Sequence, residues 1–416
     1  MLCMLAKFAT AQNPSPAADT ANLTLDSAEN IFLKNNLQLL AQRYNVSAQK
    51  ALVIQAKLIP NPNFSYSQAP IGTTKNPQSN FFSNNEIQAG ISELIILARK
   101  RDKQIKLAEA NAQLSEYQLF DLIKTLKYTL RTDFFNIYYL RQSLKLYDKE
   151  IESLKQVVNA FNLQQGKGYI SEKEVIRIKA QLYSLQNEYN GLMNELNDVE
   201  SELRVVLQVK NIFIVPLVNE LKISAYSPSQ YSLATLIDTA YKNRPDLQIA
   251  KANTGISKLN YNYQKALAVP DLTGMVNYDK QGSYATNLFS IGIAIDLPLF
   301  NRNQGNIQSA KSMIDYNTAN QKSVEAQAEE QIYRALQKVY DNDKLYKNID
   351  EKFLNDFSRL LDEVLDNYQK RNIGFLDFLD FYDSYKQNVL QLNSIKLNRI
   401  NAFEDLNFYT ATNFFN

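Results

Sequence analysis

Residues 288–297 read LFSIGIAIDL, and this stretch decides the fold. Alternate positions are large and apolar, and the positions between them are small or polar. The apolar set is Phe289, Ile291, Ile293, Ile295 and Leu297. Strict alternation predicts a β-strand with one apolar face. Pro298 ends the strand, because proline has no N–H to donate to a neighbouring strand.

The same pattern occurs earlier in the chain, as part of an internal duplication. Gly292-Ile293 repeats Gly90-Ile91, and Lys242-Asn243, Ala266, Pro270 and Ala310 repeat Lys34-Asn35, Ala56, Pro60 and Ala108. The period is about half the chain, so each copy is a whole substructure and not a solenoid unit. Each copy predicts a helix, two short strands and a very long helical segment that reverses once. Neither copy has enough strands to close a sheet alone, which argues against two separate domains.

The duplication sets the expected organisation of the chain. We assign 1–11 to a signal-peptide remnant, 12–22 to an N-terminal tether, 23–208 to the first repeat with a β-hairpin at 63–97, 209–230 to an irregular linker, and 231–416 to the second repeat with a β-hairpin at 271–299. Ala9-Thr10-Ala11 fits a signal cleavage site, although the positively charged segment before it is missing. We therefore expect the start codon upstream, and Cys3 discarded with the signal. An unstructured cytosolic N-terminus is the alternative.

Long helices dominate the remainder. Residues 98–165 contain no glycine or proline, which predicts about 100 Å of helix. A coiled-coil spacing runs through Leu144, Tyr147, Ile151, Leu154, Val158 and Phe161, and a similar one from Tyr346 to Val364. Gly166-Lys167-Gly168 reverses the first helical hairpin, and Ser171 with Glu174 predicts a capping box on the return helix. The second hairpin is expected to reverse at Arg371 to Gly374. Thr24 or Asp26 caps the first helix, which we expect to end at Pro60.

Composition excludes several classes of function. The 416 residues carry a net charge of +2, contain no histidine and have one cysteine. These counts remove the usual zinc and copper ligand sets and Ser-His-Asp triads. A carboxylate-only enzyme is not excluded by them, but we predict no enzyme, no catalytic residue, no cofactor and no resident metal. The balanced charge gives no reason to expect a nucleic-acid partner. No apolar run approaches the ~18 residues of a membrane-spanning helix.

Two readings of this pattern stay open on the residues alone. Four short one-sided strands cannot close a barrel, and unpaired strand edges are not tolerated in a membrane. If these strands span an outer membrane, several chains share one barrel, and three chains would give twelve strands. The other reading is an elongated soluble helical protein with two β-hairpins as decoration.

A family resemblance separates these readings. The LTLDSA start at 23–28, NRPDL at 243–247, LIPN at 58–61 and the duplicated layout resemble the TolC-like outer-membrane efflux proteins over residues 23–415. The resemblance implies a mainly α fold with a small β part. It implies a homotrimer with a twelve-stranded β-barrel in the outer membrane of a Gram-negative bacterium, continued by an α-helical coiled-coil barrel through the periplasm. Residues 69–85 and 279–287 would be extracellular loops, and 209–230 would lie around the equator of the helical barrel.

Within that family, two segments resemble the heavy-metal branch of the Czc/Cus type. They are LPLFNRNQG at 297–305 and residues 93–101, which end in Arg99-Lys100-Arg101 with Ala98 where glycine is usual. The branch implies export of metal cations with a periplasmic adaptor and an inner-membrane resistance-nodulation-division (RND) pump. Drug or small-molecule export, type I secretion, and a periplasmic coiled-coil protein without a pore are the alternatives. Residues expected at the barrel–helix junctions, near lipid headgroups, are Pro60, Arg99, Arg101, Pro270, Pro298 and Arg302.

The resemblance also implies a periplasmic aperture. Asp377 and Asp380 lie three residues apart, so they share one helix face. In TolC-like channels the matching pair lines the closed periplasmic opening, and Asp383 is a further candidate. Residues expected at the tip, in contact with an adaptor or with one another, are Gly166, Lys167, Gly168, Ser171, Tyr368, Arg371 and Gly374. The alternative is a solvated acidic stripe beside ordinary helix turns.

Overall fold

The computed structural model describes residues 19–68, 87–228, 231–281, 285–370 and 372–415. These residues form mainly helices with a smaller β part, so the predicted fold class is confirmed. In chain order the elements are β1 (Asp19–Thr24), α1 (Leu25–Asn35), α2 (Leu37–Ala56), β2 (Asn63–Gln68), β3 (Ile87–Ile95), α3 (Lys100–Gly166), α4 (Glu172–Leu207), β4 (Ile212–Leu217), α5 (Glu220–Ser224), α6 (Leu233–Asn243), α7 (Pro245–Leu267), β5 (Leu272–Gln281), β6 (Thr286–Ile295), α8 (Gln304–Lys347), α9 (Glu351–Gln369) and α10 (Phe375–Thr410).

Capping side chains set several of these boundaries. Thr24 accepts a hydrogen bond from Ser27 N and caps α1, and Ser171 forms the predicted capping box with Glu174. α1 and α2 are separated at Asn36, whose Oδ1 accepts from Leu39 N at 3.0 Å. The matching break in the second half lies at Arg244, before Pro245 at the first position of α7. The helix expected to end at Pro60 is therefore two helices, of which the second ends at Ala56.

The linker expected at 209–230 is not irregular. It contains β4 and α5, and β4 pairs in parallel with β1, from Asp19–Ile212 to Thr24–Leu217. The tether at 12–22 thus runs into a strand. Residues far apart in the chain form this pair, and neither strand shows clear alternation, so periodicity could not reveal it.

The helical spacing from Tyr346 to Val364 is interrupted. α8 ends at Lys347 and α9 begins at Glu351. Asp350 Oδ1 accepts a hydrogen bond from Lys352 N at 3.0 Å, which starts a new helix. A coiled-coil count ignores such a local cap.

The chain divides into two compact units, each drawing on both repeats. The first comprises 1–40, 122–243 and 329–416. Its core joins α3, α4, α9 and α10, and it includes five of the six apolar residues of the spacing predicted between Leu144 and Phe161; Leu144 itself is buried outside that cluster. Each of those six is at most 9% exposed. The amphipathic pattern is therefore a buried seam.

The second unit comprises 41–121 and 244–328. It contains a four-stranded antiparallel sheet in the order β2-β3-β5-β6. β3 pairs with β5, so the hairpins of the two repeats join into one sheet. Among the described residues, no helix is both long enough and apolar enough to cross a membrane.

Candidate functional site

The four-stranded sheet has two chemically different faces. Phe64, Ile91, Val276 and Ile291 share one cross-strand row, and Tyr66, Ala89, Tyr278 and Phe289 share the next. The large side chains of this face are exposed: Phe64 by 68%, Phe289 by 73%, Ile291 by 87% and Ile293 by 75%. Contiguous exposed apolar surface marks a place where protein or membrane is contacted.

The opposite face is mostly small and polar. Ser65, Gly90, Asn277 and Ser290 form one of its rows. A Cβ on Gly90 would lie 2.5 Å from Asn277 Oδ1 and 2.9 Å from Ser65 Oγ, so any larger residue there would displace these two side chains. Met275 lies against Gly292 in the same way, since a Cβ on that glycine would be 3.1 Å from Met275 Cγ.

Both outer edges of this sheet are open. Among the described residues, β2 pairs with β3 alone and β6 pairs with β5 alone. β2 and β6 therefore each present one row of backbone N–H and C=O groups that requires a further partner.

The first junction between strand and helix is held by Asp271, which sequence reasoning missed. Asp271 Oδ1 accepts from Leu97 N at 2.9 Å and pairs with Lys100 Nζ at 2.7 Å. Ala98 and Arg99 both have positive φ, 55° and 54°. Asp271 directly follows Pro270, and Lys100 lies between Arg99 and Arg101. Both residues therefore stand next to predicted junction residues, which is the one sequence signal that could have indicated this ion pair.

The predicted junction residues differ in environment. Arg99 and Arg302 are exposed, and the prolines at 60, 270 and 298 are partly buried. The Arg101 guanidinium donates to the Lys57 carbonyl, just beyond α2. Asn303, with φ 58°, donates to the Gln264 carbonyl at 2.8 Å and so attaches the start of α8 to α7.

The two helix reversals of the first unit lie together. A cavity of about 190 Å³ between them is lined by Tyr169, Ile170 and Glu174 on one side and by Ile373, Gly374 and Phe375 on the other. Gly168 has φ +75°, which requires glycine in the turn, whereas Gly374 is extended at φ −76°. Gly166, Lys167 and Ser171 are exposed. Arg371 lies outside the described residues.

Tyr368 packs against other residues of the tip. Its side chain is 4% exposed and stacks on Phe378, with ring centroids 4.3 Å apart and an interplanar angle of 8°. The ring centroid of Phe161 lies 5.2 Å from that of Tyr368. Its tyrosine ring therefore packs inside the tip and is not presented to an adaptor.

The three aspartates of α10 also differ from one another. Asp377 and Asp380 are exposed in the first turns of the helix. Asp383 accepts from Gln181 Nε2 at 3.1 Å and lies 3.6 Å from Lys386 Nζ. The exposed acidic pair is thus Asp377 and Asp380, while Asp383 connects α10 to α4 through Gln181.

A buried charged cluster between α3, α4 and α10 was not predicted. Lys386, 4% exposed, pairs with Glu188 Oε2 at 2.9 Å, and Tyr147 Oη donates to the same oxygen. Glu150 is 2% exposed, and the hydroxyl of Tyr382 on α10 faces its carboxylate. Burial raises the pKa of Glu150 to about 8. The i, i+3 spacing of Asp383 and Lys386 was the one sequence signal.

Comparison with known proteins identifies the fold. No family model matches the chain. Over 300 residues it is 21% identical to the cobalt-zinc-cadmium resistance protein CzcC of Cupriavidus metallidurans, covering 72% of this chain and 69% of that protein. It superposes on the CusC channel with TM-score 0.75 and 15% identity, covering 98% of this chain and 96% of that one. The fold is that of the TolC-like outer-membrane channels.

A second TolC-like structure agrees. The Campylobacter jejuni CmeC outer membrane channel matches with TM-score 0.75 and 18% identity, covering 93% of this chain and 85% of that one. The resemblance to TolC-like proteins is thereby confirmed. These relatives are channels and a resistance protein rather than enzymes.

Proposed function

We propose that this chain is the outer-membrane exit duct of a tripartite efflux system. The observation that carries the proposal is the four-stranded sheet with one exposed apolar face and two open edges. In hydrocarbon, every backbone polar group needs a partner, so the open edges must be paired with further copies of the chain. Three copies of four strands give a twelve-stranded barrel, within the known size range. The apolar face then contacts lipid and the polar face lines the lumen.

The proposed duct depends on two partners, one that supplies energy for export and one that connects it to the duct. A periplasmic adaptor and an inner-membrane RND pump would load it, and the chain itself would carry out no chemistry. The tip formed by the reversals of the two helical hairpins is the proposed adaptor contact. Cysteine at Lys167 or Asn372, in a Cys3→Ser background, is expected to cross-link to the adaptor in whole cells. Cysteine at exposed Lys50, in the other unit, is the control. Absence of any adduct at both tip positions would contradict the contact.

Heavy-metal cations are the proposed cargo. The support is the similarity to CzcC, named for cobalt, zinc and cadmium resistance, together with the likeness of 93–101 and 297–305 to heavy-metal members. A clean deletion complemented in trans tests this on zinc, cobalt, cadmium, copper, silver and a panel of dyes and antibiotics. Sensitivity confined to metals, and restored by the gene, supports the cargo. Broad sensitivity to dyes and drugs would move the assignment to general efflux.

The exposed pair Asp377 and Asp380 is the proposed periplasmic aperture. Threefold repetition would place six carboxylates around the axis, and rings of acidic side chains favour cations. In a planar bilayer, D377A/D380A is expected to weaken cation preference. D366A is the control, because Asp366 is an exposed aspartate of α9 already paired with Lys370. Unchanged ion selectivity in the double variant would remove this assignment.

A further inference from the structure

The extracellular loop expected at 279–287 is shorter than predicted, since β5 extends to Gln281 and β6 begins at Thr286. Asp279 therefore lies in β5, where it carries a charge on the polar face of the sheet. The register pairs it with Gln88 on one side and Leu288 on the other, in the row next to Gly90, Asn277 and Ser290. Gln88 Nε2 lies 3.4 Å from Asp279 Oδ2, which confirms that both side chains are on the same face. Since alternate residues of a strand share a face, the whole polar face can be read from this register.

That face is otherwise uncharged in the described strands. Its members are Asn63, Ser65, Ser67, Gln88, Gly90, Ser92, Leu94, Thr273, Met275, Asn277, Gln281, Thr286, Leu288, Ser290, Gly292 and Ala294. Within β2, β3, β5 and β6, Asp279 is thus the one ionisable residue on the polar face. Glu93 and Lys280 fall on the apolar face by the same alternation.

The carboxylate of Asp279 is oriented without being neutralised by these contacts. Gln88 donates to Oδ2, and Gln281 N donates to Oδ1 at 3.1 Å. Both donors are neutral. The Asp279 row also lies towards the end of the sheet away from the helices, since β5 begins at Leu272, a few residues after α7.

We infer that Asp279 is a selectivity-determining residue that forms a second cation-attracting ring in the duct, inside the outer part of the barrel. The inference rests on the proposed function, because it needs three copies around one lumen. Its ligand class is a hydrated cation passing outward. Three unit charges about 8 Å from an ion, one Debye length at physiological salt, raise the local cation concentration about two- to threefold. Anions are depleted by the same factor, so the cation-to-anion permeability ratio should change about fivefold or more.

Bilayer recordings in a D377A/D380A background test this, since the tip charges then do not mask the barrel. D279N is expected to lower the cation-to-anion permeability ratio about fivefold. E93Q is the matched control, because it removes the same charge from the opposite face of the same sheet. A D279C variant, made in a Cys3→Ser background, should regain cation preference with an anionic thiol reagent and lose more with a cationic one.

The outcomes separate the inference from the proposed function. Channels whose selectivity is unchanged by D279N, or changed equally by E93Q, overturn the Asp279 ring and leave the duct standing. If D279N does not insert, the opposite effects of the two thiol reagents on D279C decide the question. Absence of conductance from the unmodified chain overturns the duct itself, and the ring with it.

Discussion

Replacing Glu150 with glutamine tests the buried cluster of the tip. Glu150 projects from α3 and is 2% exposed, and the charged groups that face it are Glu188 on α4 with Asp383 and Lys386 on α10. Burial disfavours the carboxylate and raises its pKa from 4.5 to about 8. The Lys386 ammonium opposes this rise, Asp383 and Glu188 add to it, and the Tyr382 hydroxyl opposes it by hydrogen bonding. The neutral acid is therefore the form that suits the folded tip.

The sign of the pH dependence follows from proton binding. Between pH 4.5 and 8 the folded chain holds a proton on Glu150 that the unfolded chain has released. The stabilisation is therefore fully present below pH 4.5 and is lost as the pH rises through about 8. The slope is at most about 1.4 kcal/mol per pH unit, which gives on the order of 5 kcal/mol over the whole window.

Thermal unfolding of the detergent-purified protein between pH 5 and 9 is the assay. The wild-type midpoint should fall by several degrees as the pH rises, and E150Q should fall less and lie above wild type at pH 9. E152Q is the control, since Glu152 is exposed two residues away and should follow wild type. An E150Q midpoint that parallels the wild-type slope, or lies below wild type at pH 9, would refute the reasoning.

Two further predictions concern the first strand–helix junction. Ala98 has φ 55°, a conformation that favours glycine, so A98G should raise the free energy of unfolding by about 1 kcal/mol. The control A268G, at φ −67°, should lower it by about 0.5–1 kcal/mol. Equal effects of the two variants on the melting temperature would contradict this. D271N leaves the Lys100 ammonium, whose side chain is 8% exposed, without its counter-charge and should cost about 2–3 kcal/mol. In denaturant unfolding, E116Q, which breaks the exposed Lys50 pair, should cost less than about 1 kcal/mol, and a similar loss in both variants would be the contrary result.

Local signals predicted the elements that depend on them. The alternation at 288–297 predicted β6, which occupies Thr286–Ile295 with the same face pattern, and Ser171 with Glu174 predicted the start of α4. The apolar spacing between Leu144 and Phe161 predicted the buried seam. In each case the determining residues are neighbours in the chain, so period and capping are sufficient.

Features built from distant residues could not be predicted in this way. The β1–β4 pair joins segments about 190 residues apart, on either side of the first repeat, and Asp271 contacts Lys100 from the other repeat. The cluster of Glu150, Glu188 and Lys386 requires three helices to meet. Tyr368 was expected at the tip, but its burial against Phe378 depends on the packing of α9 against α10. Contacts between residues far apart in the chain, and not the local sequence pattern, determine the partners of these residues.

Membrane fractionation of the unmodified chain tests the central claim most directly. The exposed apolar face and open sheet edges predict a protein found in the outer-membrane fraction, extracted only by detergent, and running as a heat-labile trimer on unboiled gels. A chain recovered from the periplasm without detergent, as a monomer or soluble coiled-coil oligomer, would contradict the duct and favour a structural protein without a pore.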